Sequence, residues 1–219
     1  MSYLLRLVVP DRPGILGAVA TALGLAGIDI VSVDVLERGG GVAVDDIVVE
    51  LPEDRVADGL ITAVMTVPGV QVESLRPFSG QLDTHRELEL LESLGRAGGG
   101  TATLLADELP RVLHGGWAVV LTGTPDDVTV LAASEAAPGL ADLVLPWLPL
   151  RTPVLLPSEA DWVPAMWQDM AVEMMAAPFD GGAAVLLGRS GGPAFRRSEL
   201  LRLAHLTGIA ATVAQLPPA

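Results

Sequence analysis

The stretch Asp11-Arg12-Pro13-Gly14-Ile15-Leu16-Gly17-Ala18-Val19-Ala20-Thr21 decides how this chain begins to fold. Before it, residues 3–9 are apolar enough for a buried strand. After it, Ile15, Leu16, Val19, Leu23 and Ala26 recur at helical spacing. An acid, a proline and a glycine between a strand and an amphipathic helix leave first-turn amides without intrahelical acceptors, where the helix dipole is positive. A carboxylate or phosphate on a small polar ligand would dock at such a place. The same residues also read as a plain helix start. Asp11 would then accept first-turn N–H bonds, a cap worth about 1 kcal/mol, and Pro13 would stand in the first turn, where its missing N–H costs nothing. A small-molecule site accommodates both readings.

Working outward, a helix is predicted over residues 13–26, stopped by Gly27, and a strand over 28–38. Gly39-Gly40-Gly41 makes the turn to a second strand over 42–51, giving a hairpin. A helix over 53–66 follows, with Val56, Leu60, Ile61 and Val64 as its inner face, and a strand over 70–77 closes the unit. The order βαββαβ within about 75 residues is the ferredoxin-like split arrangement, an antiparallel sheet covered on one face by two helices. Val31, Val33 and Val35 share one face of their strand, with Ser32 and Asp34 on the other. Ile47, Val49 and Leu51 likewise oppose Asp46 and Glu50. Arg6, Asp34, Asp46 and Glu50 are expected on the uncovered face, as cross-strand ion pairs.

Residues 80–85 read as a linker between a first domain, 1–79, and a second, 86–219. The second opens with a helix over 86–97 carrying Leu88, Leu91 and Leu94, broken by Gly98–Gly100, then a helical run over 101–113. A hairpin follows, 117–123 and 128–134, around Pro125-Asp126-Asp127. Residues 135–170 are proline-rich and irregular. A second hairpin, 172–179 with 183–189, leads to a closing helix over 198–214. Helices at both ends with strands between them make the unit α+β.

Composition narrows the function classes. The net charge of −14 repels phosphate backbones, and the adjacent pair Arg196-Arg197 is too small a basic patch, so no nucleic-acid partner is expected. No run of roughly 18 apolar residues is free of charge or proline, so no membrane span is expected. With no signal-like amino terminus visible, the expected compartment is the cytoplasm. The absence of cysteine excludes disulfides, thiolate metal sites and cysteine nucleophiles together.

The remaining motifs read more plainly. Gly39-Gly40-Gly41 and Gly188-Arg189-Ser190-Gly191-Gly192 lack the lysine and hydroxyl of a phosphate loop and are expected to be turns. His85, His114 and His205 are scattered without paired acids, Asp45-Asp46 belongs to a strand face, and Asp126-Asp127 to a turn. No metal centre, cofactor or catalytic constellation is expected. Trp147, Trp162 and Trp167, with Met166, Met170, Met174 and Met175, form either a packed core or dimer seam, or the wall of an apolar pocket.

Residues 3–77 resemble an ACT domain. The residues carrying the likeness are Leu5 and the apolar run to Val9, then Asp11-Arg12-Pro13-Gly14-Ile15-Leu16, then Gly27-Ile28-Asp29-Ile30, then Asp45-Asp46-Ile47-Val48-Val49. The resemblance implies that two such modules pair side by side into an eight-stranded sheet, with an amino acid bound between them. It also implies that Asp11, Arg12, Pro13, Gly14, Ile15 and Leu16 face the ligand, joined by Asp29 and Ile30 of a partner. Where the family commonly carries asparagine this chain has Asp29, which suits a ligand ammonium or marks the loss of the ligand. Residues 86–214 resemble a GAF domain through Ala177-Pro178-Phe179, Ala183-Ala184-Val185-Leu186-Leu187-Gly188, Pro193-Ala194-Phe195 and the helix near Ser198-Glu199-Leu200. Arg196-Arg197 stand where that family usually starts the helix with Ser or Thr.

These resemblances imply a cytoplasmic, non-enzymatic homodimer that senses an amino acid through its first module and relays it to the second. Two alternatives stay open: a dimeric scaffold or accessory subunit without ligand, and the regulatory part of an amino-acid metabolic enzyme.

Overall fold

The computed structural model describes residues 1–52, 55–78, 86–140 and 143–215. The chain divides into two compact units, 1–82 and 83–219. The expected linker over 80–85 lies outside the described residues, as do His85 and the start of the helix expected from residue 53.

In the first unit the elements run β1 (Ser2–Pro10), α1 (Ile15–Leu25), β2 (Asp29–Gly39), β3 (Val42–Glu50), α2 (Asp58–Met65) and β4 (Gln71–Pro77). The strands form an antiparallel sheet in the order β2-β3-β1-β4, the ferredoxin-like arrangement. Alternation explains its core. Leu5, Leu7 and Val9 of β1 and Ile47 and Val49 of β3 meet Val19 and Leu23 of α1 and Leu60 and Val64 of α2. Val56 is 73% exposed, because α2 begins only at Asp58.

The opposite set, on β1 and β3, holds Arg6 directly across from Asp46. Arg6 Nε donates to Asp46 Oδ1 at 2.6 Å and Nη2 to Oδ2 at 2.8 Å. The expected cross-strand pair is there, but both residues are buried rather than open to water. Fork-to-fork geometry satisfies both partners and fixes the β1–β3 register more than it adds stability. Asp34 and Glu50 are exposed.

β2 borders the sheet and its ladder with β3 slips twice, between Ile30 and Ser32 and between Val35 and Glu37. Val31, Val33 and Val35 are 42–49% exposed there. Apolar alternation in this strand therefore does not mark core, since an edge strand with bulges lacks a neighbour to cover it.

The second unit contains α3 (Arg86–Ala97), a 3-10 turn (Gly98–Gly100), α4 (Thr101–Val112), β5 (Trp117–Thr124), β6 (Asp127–Ala133), β7 (Val154–Leu156), α5 (Ala165–Asp169), β8 (Val172–Pro178), β9 (Ala184–Ser190) and α6 (Arg197–Ala214). Its antiparallel sheet runs β6-β5-β9-β8-β7. Val120, Met175, Val185 and Leu187 face Leu94 of α3, Leu105 and Leu109 of α4, and Leu203 of α6. Leu88 is 62% exposed, and Leu90 takes the inward place expected of it. The other face, with Val119, Leu121, Met174 and Leu186, packs on Leu145, Leu148, Val163 and Trp167 from the proline-rich segment. Burial on both faces is why β5, β8 and β9 read as continuous apolar runs rather than as alternating strands.

The expected tryptophan and methionine cluster is split by the sheet. The Trp117 and Trp167 rings meet at a tilt of 54° with centroids 5.4 Å apart, and Trp147 meets Trp162 edge-on at 6.5 Å. Met174 joins them, but Met175 points into the helical side, and Met166 and Met170 are 62% and 43% exposed.

The turn expected over 188–192 is also shorter. Gly188, Arg189 and Ser190 complete β9. A Cβ on Gly188 would lie 2.1 Å from Trp117 Cζ2, so only glycine fits beside that indole. Arg189 is buried against Glu199 at 2.7 Å, while its other N–H groups donate to the carbonyls of Leu113, His114 and Pro193 at 3.0–3.1 Å. Its guanidinium sits 4.0 Å from the centre of the Phe195 ring. Glu199 Oε2 also accepts the Arg196 backbone N–H at 2.8 Å, closing the start of α6.

Candidate functional site

At the start of α1, Gly14 adopts φ 85, a left-handed conformation natural to glycine. That residue interrupts the helical path, so α1 starts at Ile15, two residues later than expected, with Gly14 as its N-cap and no side-chain capping bond. Asp11 does not cap the helix. Its backbone N–H donates to Gly41 O at 2.9 Å, and its carboxylate accepts from Arg38 Nη2 at 2.5 Å and Nε at 3.1 Å. The Ile15 N–H donates to Arg12 O at 3.3 Å and the Ala18 N–H to Gly14 O at 3.0 Å. Leu16 and Gly17 carry first-turn amides for which helix geometry supplies no acceptor.

These residues frame a cleft of about 440 Å³. Its walls include Asp11, Arg12, Pro13, Gly14, Ile15 and Leu16, joined by Gly17, by Val9 of β1, by Val35 and Arg38 of β2, and by Ala43 and Asp45 of β3. Asp29 and Ile30 open β2, at the far end of that strand from Val35 and Arg38, and do not line the cleft of their own chain.

Asp45 is the site residue that reading the sequence as a strand face missed. It is 1% exposed, and its Oδ1 is buried with no hydrogen-bond partner. In register it stands beside Leu7 of β1 and Val35 of β2, both apolar. Burial pushes the Asp45 carboxyl above the usual aspartate range; Arg38 pulls it down, and Asp11 and Asp46 add to the rise. A signal was present: two consecutive acids in a strand must point to opposite faces, so one had to face the helices.

Among the described residues no group of three or more His, Cys, Asp or Glu side chains could hold a metal ion, and no helix is long and apolar enough to cross a membrane.

The comparison with family models falls on the first unit. Residues 3–69 match the family model of the ACT domain. Similar solved structures include an unknown protein from Galdieria sulphuraria, at 20% identity over 42% of this chain and 61% of that one, with a TM-score of 0.32. A formyltetrahydrofolate deformylase from Pseudomonas putida KT2440 is similar at 15% identity over 44% of this chain and 38% of its own, TM-score 0.32. The regulatory subunit of aspartate kinase from Thermus thermophilus, in its ligand-free form, is similar at 23% identity over 43% and 70%, TM-score 0.32. This chain thus spans about three fifths of the first and under two fifths of the second. No curated protein matches it.

Proposed function

We propose that this chain is a non-enzymatic regulatory protein that binds a small molecule, an amino acid, through an ACT module over residues 1–79 and relays occupancy to a GAF-like module over 86–219. One observation carries the reading: Asp11, Arg12, Pro13, Gly14, Ile15 and Leu16 border a single cleft at the start of α1, where a helix has first-turn amides without intrahelical acceptors. Two copies paired along β2 would set Asp29 and Ile30 of one beside the cleft of the other. The exposed Val31, Val33 and Val35 suit that edge for a second strand. Binding would favour one paired arrangement, a population shift on the order of 1–3 kcal/mol. The cytoplasm is the proposed setting.

The test is thermal unfolding of the full chain against each of the twenty amino acids, with sedimentation to establish the dimer. A ligand at a hundred times its Kd stabilises by about 2.7 kcal/mol. A dimer that no amino acid stabilises, or a monomer at all concentrations, defeats the proposal. A second reading, a scaffold without ligand, is favoured by the Asp11–Arg38 pair, which satisfies two cleft charges internally. Co-purification of a stoichiometric protein partner without any small molecule would select it.

A further inference from the structure

Asp45 is buried, and its Oδ1 finds no hydrogen-bond donor in its surroundings. Its neighbours on β1 and β2 are Leu7 and Val35, and the Ala43 and Ile47 positions flank it on its own strand. None of these side chains has a donor. Arg38, the cation nearest in the cleft, is turned to Asp11 at 2.5 Å, and on the other face of the sheet Asp46 is held by Arg6. A buried carboxylate oxygen without a donor is a standing penalty that a ligand can relieve.

We propose that Asp45 is the residue of this cleft that recognises a primary ammonium, so that the ligand is a zwitterion read within a single protomer. Its anionic group meets the amides at Leu16 and Gly17 and its ammonium meets Asp45. This rests on the amino-acid reading above and adds to it a selecting residue on β3, separate from the partner's contribution. The apolar members of the wall, Val9, Ile15, Val35 and Ala43, leave the ligand's side chain to aliphatic surroundings.

The experiment is calorimetric titration of the full chain at pH 7 with the twenty amino acids. Each one that binds is then paired with its 2-hydroxy-acid analogue, which keeps carboxylate and side chain and replaces the ammonium by hydroxyl. The wild type should prefer the amine by about 10- to 100-fold, the range of a charge-assisted hydrogen bond. Asp45→Asn should weaken the amino acid by that factor and leave the hydroxy acid within about threefold, erasing the preference. Equal affinities of the wild type for the two analogues overturn the inference without any variant. So does an Asp45→Asn protein that keeps the preference, while amino-acid binding itself survives. Failure of every amino acid to bind the wild type defeats the parent reading and this one with it.

Discussion

Replacing Glu199 by glutamine should unfold the second unit at markedly lower denaturant. The substitution keeps the size of the side chain but removes the Glu199 charge from the Arg189 guanidinium, which is buried at 1% exposure. Breaking a buried ion pair from one side costs about 3–5 kcal/mol. The lower end applies here, because three carbonyls and the Phe195 ring still surround the cation. Glu173, opposite Arg189 in register, adds a second negative neighbour. Glu199→Ala also loses the bond to the Arg196 N–H, a further 1 kcal/mol or so. Arg189→Met should be worse than either, since it strips hydrogen bonds from two buried carbonyls and a part-buried one, each bond worth roughly 1 kcal/mol. All four tryptophans, at 117, 147, 162 and 167, belong to this unit, so tryptophan fluorescence in urea reports on it alone. With a slope of about 2 kcal/mol per molar, 3 kcal/mol moves the midpoint by about 1.5 M. A Glu199→Gln midpoint within about 0.3 M of the wild type, or an Arg189→Met protein more stable than Glu199→Gln, refutes the reasoning.

Further outcomes follow from the same physics. Because the folded-state Asp45 carboxyl titrates above its unfolded value, the folded protein holds that proton more tightly, and stability from this group falls as pH rises from about 3.9 through the raised value. Asp45→Asn should flatten that decline and stabilise the free protein at pH 7, with Asp11, Arg38 and Asp46 unchanged; calorimetry of the first unfolding transition from pH 4 to 8 checks the sign. Gly188→Ala should displace the Trp117 indole from its place against β9. We expect a loss of about 1–3 kcal/mol and a red-shifted emission spectrum in the folded state; an unshifted spectrum contradicts it.

Much of the first unit was legible because turn chemistry and periodicity agree there. Gly27 at φ 73 ends α1, with the Ile28 N–H donating to Leu23 O at 3.0 Å, and Gly40 and Gly41 turn the β2–β3 hairpin at positive φ. Capping was misread because Asp11 has a competing long-range partner in Arg38, 27 positions away, which local spacing does not reveal. The inward acid at Asp45 escaped because apolar neighbours on three strands, not the residue itself, make it unusual. In the second unit the hairpins announced themselves through Pro125-Asp126-Asp127 and the glycines, and Ala184 to Leu187 are all buried. The division of Met174 from Met175 followed only from knowing that both sides of the sheet are covered. Arg189 was hidden in a glycine-rich stretch that resembles a loop until Trp117 is seen to require Gly188.

The two slips in the β2 ladder bound an unbroken run of only four residues, Ser32 to Val35, aligned with Val48 to Asp45. A bulge bends a strand away from the straight course that a neighbouring chain must follow. Whatever adds itself along this border therefore finds a short track, with room for few backbone bonds before the path veers off. Val35 closes that track and lines the cleft as well, and Arg38 stands just beyond the second bend. A grip so brief is easily loosened or tightened, and its last rung is shared with the cleft.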